Sequence, residues 1–168
     1  EGRVVNSTGH ILQGWLADSS GAVIPGATKS IQISFDPAPP NDTGTATLTA
    51  NLDAGASVIA GAITATNPAT YNWSTSMTIY DQLGEAHGLV FYFQKSASNA
   101  WDFEMYVNNT AVAPAHTMTF NTNGSVNQID GAAAAAFNVT VPSATLGSGA
   151  ANLVFSLDMT KFTQYGAA

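Results

Sequence analysis

Asp81 and His87 stand across one tight turn, Asp81-Gln82-Leu83-Gly84-Glu85-Ala86, close enough in sequence for carboxylate and imidazole to touch. An Asp–His pair is half of the constellation that activates a serine nucleophile. No Gly-x-Ser-x-Gly elbow accompanies it, and Gly147-Ser148-Gly149 falls in a glycine-rich loop. The plainer reading is that Asp81 shapes the turn. An Asp side chain bonds amides just downstream, and Gly84 supplies positive φ. His87 then bonds to Asp81 or to backbone.

The other reactive types are scattered. His10, His87 and His116 form no His-x-x-x-His pair, and zinc needs three or four converging ligands. Calcium loops of the Asp-x-Asp-x-Asp type are absent. Asp102 and Glu104 share one strand face, about 7 Å apart by strand rise. Glycosidases instead set two acids across a cleft, so a solvated face is the commoner origin of this pattern. Trp15, Trp73 and Trp101 could form a sugar-stacking platform, but Trp101 alternates in phase with Phe103 and Met105 and reads as core. With no cysteine, disulfides, thiolate metal sites and cysteine nucleophiles are excluded. Asn-x-Ser/Thr sequons at Asn6, Asn41, Asn72, Asn108, Asn123 and Asn138 need no more than chance in so Asn- and Thr-rich a chain. These residues assign no catalytic, cofactor-binding or metal-binding site, and no cofactor is expected.

Composition narrows the partners. Hydrophobic residues are 45% of 168, enough for a core, while charged residues are only 9%. Lys and Arg number four against eleven acids, a net charge of -7. Phosphate-binding surfaces need clustered cations, and Arg3, Lys29, Lys95 and Lys161 are dispersed. Nucleic acid and anionic membrane are poor partners. No apolar run of about 18 residues offers a membrane-spanning helix.

The elements that would position these residues are strands. Arg3–Asn6 and His10–Leu16 flank Ser7-Thr8-Gly9 as a hairpin. Asp18–Gly21 is a second turn, and Ile31, Ile33 and Phe35 alternate with polar residues. The breaker cluster from Asp36 to Gly44, with three prolines, reads as a linker with a hinge at Thr43-Gly44. Thr45–Leu52 reads as a strand and Gly55–Thr70 as a long loop or edge hairpin. Met77–Tyr80, His87–Lys95 and Trp101–Val107 form a meander. Further strands are expected at Thr117–Phe120, Val126–Asp130, Phe137–Val141 and Leu153–Leu157. Strand patterning stops near Thr160. Ala132–Ala136 is too short to sustain a helix and stays unassigned. About ten short strands with regular turns predict an all-β fold, a flattened β-barrel or sandwich beside a partial second β domain.

One long motif resembles a known family. Tyr71-Asn-Trp-Ser-Thr-Ser-Met-Thr-Ile-Tyr-Asp-Gln-Leu-Gly-Glu-Ala-His-Gly-Leu-Val-Phe-Tyr-Phe-Gln-Lys95, followed by Asn99-Ala-Trp-Asp-Phe103, resembles the middle domain of bacterial flagellar hook proteins. The hairpin Val4-Val-Asn-Ser-Thr-Gly-His-Ile-Leu-Gln-Gly-Trp15 resembles one shared by flagellar axial proteins. Thr47-Leu-Thr-Ala-Asn-Leu-Asp53 and Met118-Thr-Phe-Asn-Thr-Asn-Gly124 also have family counterparts.

The resemblance implies a hook fragment with three parts: part of an inner β domain at 1–35, a middle domain at 36–165, and the start of a return linker at 166–168. It also implies a structural subunit that is no enzyme, in the extracellular tube that carries motor torque to the filament. The expected partners are neighbouring hook subunits and other axial proteins at the tube's ends, with no nucleic acid and no membrane. The alternative is an extracellular carbohydrate-binding or adhesive β-sandwich module.

Overall fold

A computed structural model describes residues 2–35, 37–112 and 114–166. The chain forms two compact units, the first through Pro39 and the second from Pro40. One turn design recurs in both. In the segments 6–10, 18–22, 81–85 and 121–125, an Asp or Asn amide donates to the carbonyl four residues on, and a glycine at the fourth position donates back to the first carbonyl. Gly9, Gly21, Gly84 and Gly124 all have φ between +80° and +85°. That left-handed position costs glycine nothing, so Asx-x-x-Gly specifies the bulged three-residue hairpin loop.

In the first unit, β1 (Gln13–Gly14) and β2 (Lys29–Ser30) pair antiparallel. Bridges Val5↔Ile11, Ala17↔Val23 and Arg3↔Gln32 extend them. The hairpin about Ser7-Thr8-Gly9 forms as expected, with Asn6 Oδ1 accepting from the Thr8 and His10 amides at 3.1 and 2.8 Å. The face on which Ile31, Ile33 and Phe35 alternate is not covered. Ile33 is 54% and Phe35 82% exposed, with Val5, Leu12, Trp15, Val23 and Ile24 also open. Two-residue strands offer too little sheet to cover them.

The second unit contains β3 (Thr45–Thr47), β4 (Asn51–Asp53), β5 (Trp73–Tyr80), β6 (Ala86–Ala97) and β7 (Ala100–Val107). It continues with β8 (Thr110–Ala111), β9 (His116–Phe120), β10 (Val126–Ile129), β11 (Ala132–Ala133), β12 (Phe137–Val141), β13 (Leu153–Asp158) and β14 (Thr163–Tyr165). The main sheet is antiparallel, in the order β11-β10-β9-β7-β6-β5, with β8 beside β7. A second sheet runs β12-β13-β3 and a third pairs β14 with β4. Strand alternation sends Leu89, Phe91, Phe93, Trp101, Phe103, Met105 and Val107 to one face, all buried. Val139, Val141, Leu153, Phe155 and Leu157 from β12 and β13 join the same core cluster. The all-β expectation holds as packed open sheets. The barrel alternative does not, because the main sheet ends at β5 and β11 without closing.

Three local readings change. The expected strand 45–52 is two strands, each pairing in parallel with a distant one, β3 with β13 and β4 with β14. Strand structure continues past Thr160 as β14, whose Gln164 amide bonds the Gly124 carbonyl. The expected hinge at Thr43-Gly44 is tied down. Thr43 exchanges bonds with the Tyr80 backbone, and the Gly44 carbonyl accepts from Ser156. The segment 55–70 is a loop containing a single 3-10 turn, Pro68–Thr70, capped by Asn67. Of the return-linker expectation at 166–168, all beyond Gly166 lies outside the described residues, as does Asp36 of the linker.

Trp101 is buried to 1%, and its indole N–H donates to Gln164 Oε1 at 2.8 Å. The Gln164 amide in turn donates to Asn99 Oδ1 at 2.9 Å. Replacing the ring by Ala removes packing and strands a buried acceptor. Trp101→Ala is expected to cost about 3–5 kcal/mol of unfolding free energy in a denaturant titration. A loss under about 1 kcal/mol would mean that the ring does not carry the core.

Candidate functional site

The Asp81 turn gathers several polar groups around one buried carboxylate. Asp81 Oδ1 accepts from the Leu83 and Glu85 amides, both at 2.9 Å. Asp81 Oδ2 meets His87 Nε2 at 2.9 Å and accepts from Ser148 Oγ at 2.5 Å. Asp81 is fully buried and His87 nearly so. The bonds from His87, Ser148 and the turn amides hold the Asp81 carboxyl well below the usual carboxylate range, against the opposing effect of desolvation.

Ser, His and Asp therefore meet, but in an order that disables catalysis by the triad route. In a nucleophilic triad the imidazole stands between hydroxyl and carboxylate and removes the hydroxyl proton. Here the carboxylate stands between the other two, and the Ser148 hydroxyl spends its proton on Asp81. Sequence reading found Asp81 and His87 but not Ser148. Asp81 and Ser148 lie 67 positions apart and meet only through tertiary packing. Gly147 and Gly149, at φ +73° and +87°, shape the loop that delivers Ser148. Gly84 serves a second purpose, since a Cβ there would lie 2.8 Å from Pro40 Cβ.

The remaining candidates resolve individually. His116 Nδ1 meets Asp130 Oδ2 at 2.7 Å, and the ring packs beside both Phe103 and Phe137 at centroid distances of 5.1 and 5.2 Å. His10 bonds Thr8 within its own hairpin. Among the described residues no three His, Asp or Glu side chains converge as a metal site. Asp102 and Glu104 are half-buried on the outer sheet face, where Glu104 accepts from the Tyr106 hydroxyl at 2.9 Å.

Of the tryptophans, Trp101 is core, Trp73 is half-buried against Phe93 at 5.3 Å, and Trp15 is exposed in the first unit. Trp73 and Trp101 do line one cavity of about 280 Å³ with Asn51, Asp53, Ser57 and Asn72. Its amides are already committed. Asn51 accepts from the Thr163 hydroxyl and the Tyr165 amide, and Asn72 joins the Lys95 amide to the Ser57 carbonyl. This cavity fastens the 51–57 segment to the sheet and offers no pair of exposed rings to a sugar.

Residues 51–168 match the family model described as the flagellar basal body protein FlaE D2 domain. The chain belongs to this family. It is 36% identical over 75 residues to the flagellar hook protein FlgE of Escherichia coli K12, a stretch covering 42% of this chain and 18% of that protein. A solved 32 kDa fragment of the flagellar hook protein FlgE from Caulobacter crescentus matches 58% of this chain and 44% of its own, at 14% identity and a TM-score of 0.47. The chain thus spans less than half of either relative. The Asp81–His87–Ser148 cluster lies inside the matched FlaE D2 domain and joins its β5–β6 turn to its 147–150 loop.

This cluster sets a pH dependence. A carboxyl with a lowered folded pKa contributes stability that is present above the ordinary Asp pKa of about 3.9 and is lost as pH falls through the folded value. Asp81→Asn should lower the thermal midpoint at neutral pH, and its deficit relative to wild type should shrink between about pH 5 and pH 2. A deficit constant across that range, followed by scanning calorimetry, would show that the charge of Asp81 carries none of the effect.

Proposed function

We propose that this chain is part of a flagellar hook subunit, a structural protein of the extracellular tube that transmits motor torque to the filament. The observation that carries this reading is the family match over 51–168, with the hook-protein likeness behind it. On this reading the chain catalyses nothing and needs no cofactor. Its partners are neighbouring hook subunits in a helical tube and other axial proteins at the tube's ends, and it engages neither nucleic acid nor membrane. On the same reading the middle domain spans 36–165 and residues 1–35 are part of an inner β domain, a reading supported by the division into two compact units at Pro39 and Pro40. The exposed Ile11, Leu12, Val23, Ile33 and Phe35 support that assignment, since a complete domain would cover them.

The physical demands of such a tube suit what the second unit offers. A subunit that carries torque must be stiff inside, and one buried apolar cluster with buried polar staples supplies this. Contacts that shift as a curved tube turns must be individually weak. Small, wet, hydroxyl- and amide-rich interfaces have that character. With 9% charged residues, the surface is largely of this kind.

The absence of native cysteine in this chain makes the test direct. Ser98, exposed in the β6–β7 turn, is replaced by Cys in the full-length protein of the source bacterium, and intact cells are labelled with a membrane-impermeant maleimide dye. Label is expected as a short segment between the cell surface and each filament. Uniform label over the cell body, or none without permeabilisation, would overturn the hook reading.

A further inference from the structure

Strand β5 is the end strand of the main sheet, covered on its outer side by Thr43 at Tyr80 and open over 74–78. It pairs with β6 along all eight residues and, among the described residues, with no strand on its other side. The direction of its backbone groups follows from its last residue. Tyr80 exchanges hydrogen bonds with Thr43, on the side away from β6, while the next residue, Asp81, bonds the Glu85 carbonyl on the β6 side. Antiparallel strands alternate these directions residue by residue. The amides and carbonyls of Ser74, Ser76 and Thr78 therefore also point away from β6. They have no partner among the described residues, and their side chains are exposed.

Natural edges of this length carry lysine, proline, a bulge or an inward charge to prevent strand addition. The run Trp-Ser-Thr-Ser-Met-Thr-Ile-Tyr has no charge and no proline, and its register with β6 is unbroken. An extended strand is the occupant whose chemistry fits such a row of donors and acceptors.

The same unit carries a matching edge. β12 pairs with β13 on one side only. On β13, the Ser156 amide bonds Gly44 and the Asp158 carbonyl accepts from Leu48, both toward β3. Leu153, Phe155 and Leu157 therefore face β12, and they oppose Val141, Val139 and Phe137. By alternation the backbone groups of Asn138 and Thr140 point outward, without a partner among the described residues. The β12 sequence Phe-Asn-Val-Thr-Val is also uncharged. The other open strand edges of this unit run to three residues at most.

We infer that β5 of one copy pairs with β12 of a second copy, extending the main sheet of one subunit into the β12-β13-β3 sheet of the next. The choice of β12 over a second β5 rests on the hook reading. Two β5 edges would pair about a two-fold axis and close a dimer, whereas unlike edges leave each copy with one edge free and propagate an open helical assembly. Strand-edge pairing suits the contacts along which subunits hold register, leaving polar surface for contacts that slide.

The test uses the full-length protein, assembled, in a cysteine-free background. Ser76→Cys/Thr140→Cys is treated with a bismaleimide long enough to tolerate a two-residue slip of register. A ladder of covalent oligomers is expected from the double variant and none from either single variant. Dimers from Ser76→Cys alone would show β5 meeting itself and overturn the proposal. Normal assemblies without cross-links would overturn it and leave the hook reading standing. Failure of the wild-type protein itself to assemble would remove both. A second variant reads the backbone directly. The Ser76 amide lies outside the β6 ladder, so Ser76→Pro removes an outward donor while sparing the fold. Its thermal midpoint should match wild type, and the subunit concentration needed for assembly should rise about tenfold. No rise in a variant that folds would overturn the proposal.

Discussion

The apolar face of the β5–β6–β7 meander must be kept from water, and most of the second unit is organised around that requirement. Phe93 shows how it is met. Its ring lies 5.6 Å from Phe103 on the neighbouring strand and 5.4 Å from Phe162, which comes from the connection between β13 and β14. An aromatic ring buries a large area and has preferred geometries, so these contacts select one arrangement of the covering segments. The cover is supplied by β12, β13 and β4, which are distant in sequence. Their pairing includes two parallel ladders. Parallel strands need long connections, and here those connections are what bring the chain back over the core.

Where the cover meets the sheet, buried polar groups decide the fit. Lys95 is almost fully buried, its ammonium donating to the Ala54 carbonyl at 2.5 Å while its own amide and carbonyl bond Asn72 Oδ1 and the Ile59 amide. Gln94 reaches the Thr70 carbonyl at 2.8 Å. Asp81 gathers a turn, a histidine and a serine. Each is costly to bury and costly to leave unpaired, so alternative packings that break these bonds are penalised more than the net value of the bonds suggests. If the chain serves as the structural subunit proposed above, it gains from that asymmetry, because it discourages slippage under load.

The strands and turns of the meander were legible because their signals are local. Period-two alternation placed Leu89, Phe91, Phe93, Trp101, Phe103 and Met105 on one face, and Asx-x-x-Gly marked the hairpins. What could not be read depends on distant partners. β14 has only three residues and exists because β4 and Gly124 supply its bonds. Thr43-Gly44 carries the composition of a hinge, yet tertiary bonds to Tyr80 and Ser156 override it. Ser148 looked like loop filler because nothing in Gly-Ser-Gly announces a partner 67 residues away. The alternation of Ile31, Ile33 and Phe35 builds no core for a related reason: among the described residues, the first unit has no sheet that would cover it.

Several of the few charges of this chain do structural work at its turns and strand ends. Asp18 accepts from the Ser20 and Ala22 amides, Asp53 from Gly55, Asp130 from Thr117, and Asp158 from Thr160. With Asp81, five of the eleven acids thus hold turns or strand ends through backbone amides. Few cations stand opposite them, and Lys95 is buried. Long-range attraction between unlike patches is therefore a weak means of joining copies of this chain, and its net charge of -7 opposes close approach. On the hook reading proposed above, what would hold subunits together is short-range: backbone groups on open edges, hydroxyls and amides, and the apolar side chains left uncovered on the first unit. Such contacts act only when surfaces are already in register. They fit an assembly built by ordered addition better than one formed by collision in solution.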